Sequence, residues 1–230
     1  KVKSYKLALS SDPISAFGGI VCCNYKINVK LAYELKKTFF EVIIGNGIEK
    51  KALTILKKRK NLRIIDASKI QVNNSNNLTK NLNSLLIQSG DNKIFSNKNF
   101  KIVSKHKPSQ KTLSNLIFAF NVCRFVKSNA IVIAKNKSTV GIGTGQPSRI
   151  DSCEIAINKM NKFQKINIGE EIVAASDAFF PFVDGLEKLV QAGITAVIQP
   201  SGSIRDKEII KFANRTGTAL VFSKTRHFKH

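Results

Sequence analysis

The stretch "ASDAFFPFVDG" (residues 175–185) sets Phe179, Phe180, Pro181 and Phe182 between two carboxylates, Asp177 and Asp184. An apolar clump of this kind matches neither the 3.6-residue period of a helix nor the alternation of a strand. Pro181 supplies no backbone N–H, and it biases Phe180 away from helical geometry, so the stretch reads as a loop. Rings in a loop can be core. They can equally stack on a flat heteroaromatic ligand while a carboxylate reads its N–H edge.

A second candidate is "GIGTGQPSR" (141–149). It is not a Walker loop, because no Gly-Lys-Ser/Thr follows, and its GxGxG spacing is not the dinucleotide fingerprint. A Gly-rich strand end is the plain alternative. Gln146, Ser148 and Arg149 nevertheless fall where a helix begins, and an Arg there can hold a carboxamide or phosphate through two bonds. The closing residues "TRHFKH" add Arg226 and His230, which suit an anion and a proton carrier as well as they suit a solvated tail. Ser203, with Asp206 three residues on, reads as a helix N-cap whose free N–H groups could face a negative or carbonyl group.

These residues need elements to hold them. Helical spacing in 28–40 leads into the strand "EVIIG"; the helix 48–60 leads into "NLRIIDAS". Residues 72–98, rich in Asn, Ser and Lys around the island "SLLIQ", read as the connection between two lobes. The first lobe with this connection is residues 1–98, and the second is 99–230. The second opens with a helix at 112–128, followed by a hairpin, "AIVIAKN" and "STVGIGTG", with a turn near Asn136 that is not of the Asn-Gly kind. A helix follows from Ser148. Strands at 171–176, 196–199 and 219–223 then alternate with helices, which implies parallel pairing with right-handed crossovers. In such a sheet ligands bind beyond the carboxyl ends of the strands, so Phe179, Ser203, Arg226 and His230 should converge on one crevice.

Composition narrows the classes. With 230 residues and 43% hydrophobic content the chain can bury a core, and no apolar run approaches the roughly 20 residues of a membrane span. It reads as soluble and cytoplasmic, with no membrane partner. A net charge of +23, from 38 basic and 15 acidic residues, permits a basic α/β module that binds nucleic acid. Lys is spread along nearly every segment without interleaved aromatics, which favours compositional drift and no nucleic-acid partner. Cys22, Cys23, Cys123 and Cys153 form no metal-ligand spacing and read as reduced core thiols.

Taken together, "SSDPISAFGGIV" (10–21), "SNAIVIAKN" with "VGIGTGQPSRID", "ASDAFFPFVDG", "QPSGSIRD" and "RHFKH" resemble the transformylase part of the AICAR transformylase/IMP cyclohydrolase family, in order, from about Leu7 to the last residue. The resemblance implies an α/β fold of two cytidine-deaminase-like three-layer α/β/α lobes without metal, the first N-terminally truncated here. It implies formyl transfer from 10-formyltetrahydrofolate to the 5-amino group of AICAR, a step towards IMP, at a homodimer interface.

By the same resemblance Phe17, Gly18, Glu41, Lys60, Asn129, Arg149 and Arg226 match substrate-binding positions, with Asn129 holding the reacting groups together. Ile150, Phe179, Asp184, Ser203 and Ile204 match folate-side positions, and His230 matches a second His near the reacting centre. The family's main catalytic Lys-His pair sits in a "KHTNPCG"-like stretch, which does not occur in residues 1–230. The cyclohydrolase domain is likewise not represented. Little or no activity is therefore expected of this chain alone. Apolar surface left open on the first lobe is expected as well.

Overall fold

The structure is a computed structural model that describes residues 1–230 except 72–76, 82, 93, 97–99, 168 and 230, with the backbone alone for 77–81. It divides into two compact units, Lys1–Gly90 and Asp91–His230.

In the first unit, α1 (Val2–Ser10) precedes β1 (Gly19–Cys23), α2 (Val29–Leu35), β2 (Phe40–Gly45), α3 (Lys50–Lys57) and β3 (Arg63–Asp66). The strands form a parallel sheet in the order β1-β2-β3. Asn28 starts α2 by accepting the Leu31 N–H at 3.0 Å. That helix stops at Leu35, short of residue 40, because Phe40 already begins β2.

Tyr5, Leu31, Leu35, Ile43 and Leu56 form the core of this unit, on one side of the sheet. On the other side Ile20 and Ile65 stay 68% and 39% exposed, in line with the open apolar surface expected of this lobe. Cys22 is exposed while Cys23 is buried, which corrects the reading of four core thiols. Consecutive strand residues point to opposite faces, so two adjacent cysteines cannot both enter one core. The expected connection holds a hairpin of β4 (Asn77–Asn81) and β5 (Ser84–Gln88), the latter being the "SLLIQ" island.

The second unit contains β6 (Phe100–Ile102), α4 (Gln110–Cys123), β7 (Ile131–Lys135), β8 (Ser138–Gly143), α5 (Arg149–Phe163), β9 (Val173–Ser176), α6 (Asp184–Gln191), β10 (Ala196–Pro200), α7 (Asp206–Thr216) and β11 (Ala219–Ser223). Its sheet runs β6-β11-β10-β9-β7-β8. The pairs β9–β10 and β10–β11 are parallel, as the alternating pattern predicts. The hairpin strand β7 and the short β6 join antiparallel.

Helices α5, α6 and α7 pack their Met160, Leu186 and Phe212 against one face, and α4 packs Leu116 and Phe120 against the other. This is a three-layer α/β/α sandwich, and both faces of its central strands are apolar because both are covered. The unit begins at Asp91, not at residue 99. Phe95 is the reason: it is 3% exposed, lies 4.7 Å from the Phe120 ring, and exchanges two 2.9 Å hydrogen bonds with Asn121.

The β7–β8 turn has only two residues, Asn136 and Lys137, both at positive φ (51° and 55°). This is the tight primed geometry, adopted without a glycine. Lys137 is held in that unfavourable region by its N–H, which donates to Asn115 Oδ1 at 2.9 Å. Two of the three "GIGTG" glycines prove to be packing residues, while Gly145 takes a positive φ (68°) with open space where a Cβ would stand. A Cβ on Gly143 would lie 1.8 Å from the Ser152 carbonyl oxygen, and one on Gly141 2.1 Å from that of Ala156. Helix α5 therefore rests directly on the backbone of β8.

Candidate functional site

Strands β9, β10 and β11 all end on one edge of the sheet, and the segments after β9 and β11 meet there with the turn that opens α5. They enclose a cavity of about 440 Å³, lined among others by Asn129, Arg149, Ile150, Phe179, Asp184 and Arg226. These six, all matched to site positions by the family resemblance, thus share one cavity with Ser148, Phe180, Pro181 and Phe182.

Arg149 is the best-anchored cation in it. It leaves the first turn of α5, its side chain is 9% exposed, and it is ion-paired with Asp177, which is fully buried at the end of β9. Its Nη1 also donates to Ser176 Oγ at 2.9 Å, and its Nη2 to Asn129 Oδ1 at 2.7 Å. These bonds commit three of the five guanidinium N–H donors. Asp177 accepts from Ser128 Oγ as well, at 2.6 Å. A buried pair of this kind is costly to break from one side, by about 3–5 kcal/mol, because the orphaned charge stays desolvated. Asp177 is therefore not available to read a ligand edge. Of the two carboxylates flanking the Phe cluster, that leaves Asp184, which is exposed at the start of α6 with Oδ1 accepting the Gly185 N–H at 2.7 Å.

Asn129 is itself fixed. Its Nδ2 donates to the carbonyls of Gln146 and Pro147, each at 2.9 Å, which uses both amide hydrogens. Only a lone pair of Oδ1 remains for a ligand donor. The peptide bond before Asn129 is cis, with no proline to announce it in the sequence.

The Phe cluster divides by role. Phe180 is 1% exposed and sits in the core against Gly185, where a Cβ would come within 2.7 Å of its ring. All three rings line the cavity, but only the more open Phe179 and Phe182 each carry a guanidinium: Arg226 lies 5.0 Å from the Phe179 centroid and Arg205 4.9 Å from that of Phe182. Such contacts orient the cation over one face of each ring and leave the opposite face for other contacts. The β10–α7 loop reaches Arg226 through Gly202, whose missing side chain leaves Arg226 Nη2 3.3 Å from the would-be Cβ.

The tail is anchored. His227 is 1% exposed, with its ring 4.3 Å from that of Phe120 and Nδ1 2.5 Å from Asp91 Oδ2. Burial lowers its pKa below the ordinary imidazole value, against the opposing pull of Asp91. Burial pushes the nearby Cys153 thiol up to about 12, which keeps it protonated and a poor nucleophile.

Other expected residues lie elsewhere. Ser203 and Ile204 are not among the cavity-lining residues, and Ile204 is fully exposed. Ser203 accepts the Arg205 N–H at 3.2 Å, while the Asp206 carboxylate takes the N–H groups of Gly202 and Ser203. The helix itself starts at Asp206 with Arg205 as its N-cap, which corrects the reading of Ser203 as the cap, and the Asp206 and Glu208 N–H groups donate to the carbonyls of Ser203 and Arg205.

Phe17, Gly18, Glu41 and Lys60 belong to the first unit, where they gather at the amino ends of its strands. The Phe17 ring packs 5.1 Å from Phe39, and the Gly18 N–H donates to the Phe39 carbonyl at 2.9 Å. Glu41 lies 3.8 Å from Arg63, and Lys60 is exposed just before β3. His230 lies outside the described residues. Sequence reading passed over Ser128, Ser176 and Arg205. A Ser beside a candidate Asn or Asp carries no periodic signal, and only a folded neighbourhood reveals its partner.

Among the described residues no three His, Cys, Asp or Glu side chains group as a metal site, and no helix is long and apolar enough to cross a membrane. The profile of the AICARFT/IMPCHase bienzyme family matches residues 1–159. The chain is 46% identical over 231 residues to the bifunctional purine biosynthesis protein PurH of Buchnera aphidicola subsp. Schizaphis graminum, covering 100% of this chain and 44% of that protein. It is 44% identical over 236 residues to the protein of the same name from Bradyrhizobium diazoefficiens, with 100% and 44% covered. For that of Persephonella marina the identity is 43% over 230 residues, with 99% and 44% covered. The chain spans less than half the length of these relatives.

Proposed function

The chain belongs to the AICARFT/IMPCHase bienzyme family, and from that premise we propose that its second unit contributes the AICAR- and folate-binding cavity of a formyltransferase in purine biosynthesis. The observation that carries this reading is the cavity itself, where Arg149, fixed by Asp177, Ser176 and Asn129, faces the same space as Phe179 and Arg226.

The substrate is a planar imidazole with a carboxamide and a phosphate-bearing ribose. Arg149 suits the carboxamide or phosphate through its uncommitted donors, and Arg226 adds a second cation. Oδ1 of Asn129 can accept a hydrogen from the substrate amine, which orients that poor nucleophile. A reduced folate supplies the formyl group. The apolar faces of Phe179 and Phe182, with Asp184 as acceptor for an N–H edge, fit a pterin. Ile150 lines the same cavity. Ser203 and Ile204 border it only through their loop, and His230 is assigned a place near the reacting centre on family likeness alone.

Attack of the amine on the formyl carbon generates an oxyanion and releases a proton. Collapse then breaks the bond from the formyl carbon to the folate N10, which leaves as tetrahydrofolate with a proton. The cavity therefore needs a base that can return the proton and a donor for the oxyanion. The Lys-His pair that serves this purpose in the family has no counterpart in residues 1–230. The chain is accordingly assigned binding with little turnover, in a protein that acts as a homodimer in the cytoplasm.

Titration calorimetry with AICAR, alone and after saturation with a reduced folate, tests the binding claim. Saturable binding that is lost in Arg149→Ala is the expected result, and no binding at millimolar ligand overturns it. A formyl-transfer assay should show slow or no product; robust turnover by this chain would sink the assigned roles.

A further inference from the structure

One residue, Asp177, touches both arms of the cavity. Its Oδ1 receives Arg149; its Oδ2 receives the Ser128 hydroxyl at 2.6 Å; its carbonyl receives the His227 N–H at 2.9 Å. Ser128 carries the connection further. Its Oγ accepts the Lys229 N–H at 3.1 Å, and its own N–H donates to the Lys229 carbonyl at 3.0 Å. The tail is thus pinned on both sides of Phe228, and Arg226 lies one residue before the first pin.

A hydroxyl that donates to a carboxylate is polarised into a better acceptor, so the Asp177–Ser128 bond strengthens the Ser128–Lys229 bond behind it. Arg226, by contrast, leaves an exposed stretch of chain, and among the described residues its contacts are the half-buried Phe179 ring and Gly202, with no buried ion pair like that of Arg149. Its direction depends on where the tail is held.

We propose that Ser128 and Asp177 are positioning residues that set Arg149 and Arg226 as a matched pair, with Ser128 coupling the tail to the buried ion pair. The proposal rests on the cavity being the AICAR site. It assigns Ser128 no contact with the reacting atoms.

The test compares Ser128→Ala and Ser128→Thr in the full 230-residue chain. Titration with AICAR should show the dissociation constant rising on the order of tenfold in S128A, while S128T, which keeps the hydroxyl, stays near the unaltered chain. A ligand-free measurement runs in parallel: the rate at which trypsin cuts after Lys224 and Arg226, followed by mass spectrometry, should rise in S128A and not in S128T.

Faster cutting without weaker binding overturns the positioning role and leaves a merely structural clamp. Weaker binding without faster cutting overturns the coupling through the tail, and no change in either removes the proposal entirely. Should the unaltered chain not bind AICAR, the assignment of the site fails, and the trypsin rates still decide whether the clamp exists. Should S128A not fold, Lys229→Pro against Lys229→Ala asks the same question, because only proline deletes the N–H that Ser128 accepts.

Discussion

The two units use the same βα vocabulary and finish differently. In residues 1–90, the β3 strand is exposed at every position but the half-buried Ile64, and the core lies on one side of a three-stranded sheet. In residues 91–230, every residue of β9, β10 and β11 is buried, because helices cover both faces of the sheet. Parallel strands ordinarily need cover on both sides.

The doubly covered unit can therefore hold loops rigidly at its carboxyl edge, and the cavity lies there, with a buried ion pair beneath it. In the first unit the candidate residues Glu41 and Lys60 sit on exposed chain and rest on few fixed partners. Precision of a site follows from how completely the scaffold under it is packed.

Core truncation should separate the units most strongly. Phe120 and Leu56 are each 1% exposed or less and belong to different cores. Phe120→Ala should cost about 3–5 kcal/mol and Leu56→Ala about 2–5 kcal/mol, and calorimetry should show each change lowering one transition and sparing the other. A single transition that moves with both variants would show that the units unfold together.

Next in size, Gly143→Ala forces a Cβ against the backbone of α5, and it should cost about 1–3 kcal/mol in the second transition alone. A near-neutral effect would mean that α5 can slide on β8.

Acid sharpens the comparison with a smaller effect. All three histidines, His106, His227 and His230, lie in the second unit. The pKa of His227 is lowered in the fold, so below the unfolded value of about 6.5 the unfolded chain takes up the proton first. The stability contributed is complete above that pH and falls as pH drops towards the folded pKa. Thermal scans from pH 7.5 to 5.5 should lower the second transition only, and His227→Phe should flatten the trend. An equal slope in His227→Phe would place the titrating group elsewhere.

Smallest of all, Glu41→Gln should shift the first transition by less than about 0.5 kcal/mol, since its pairing with Arg63 is exposed. A loss of AICAR affinity in that variant without a change in melting would give the first unit a direct part in binding.

Much of this was legible in the residue pattern. The alternating strands and helices of 171–223 specify parallel pairing, and Pro181 specifies that the Phe cluster is a loop, because both depend on local period and backbone chemistry. The convergence of Phe179 and Arg226 followed from the rule that loops at one sheet edge share a crevice, a rule that also named Ser203, which does not line the cavity.

Other features depended on contacts between residues far apart in the chain. Which ring of three enters the core, that Asp177 is spent on Arg149 while Asp184 stays exposed, that Asp206 fills the donors ahead of α7, and that Phe95 belongs to the second unit were all decided by packing. Short-range preference is written in neighbouring residues. The partner of a buried polar group is set only when the folded chain brings distant residues within reach, so the sequence alone carried the elements and their edge, and the tertiary structure chose which side chains there were free to bind.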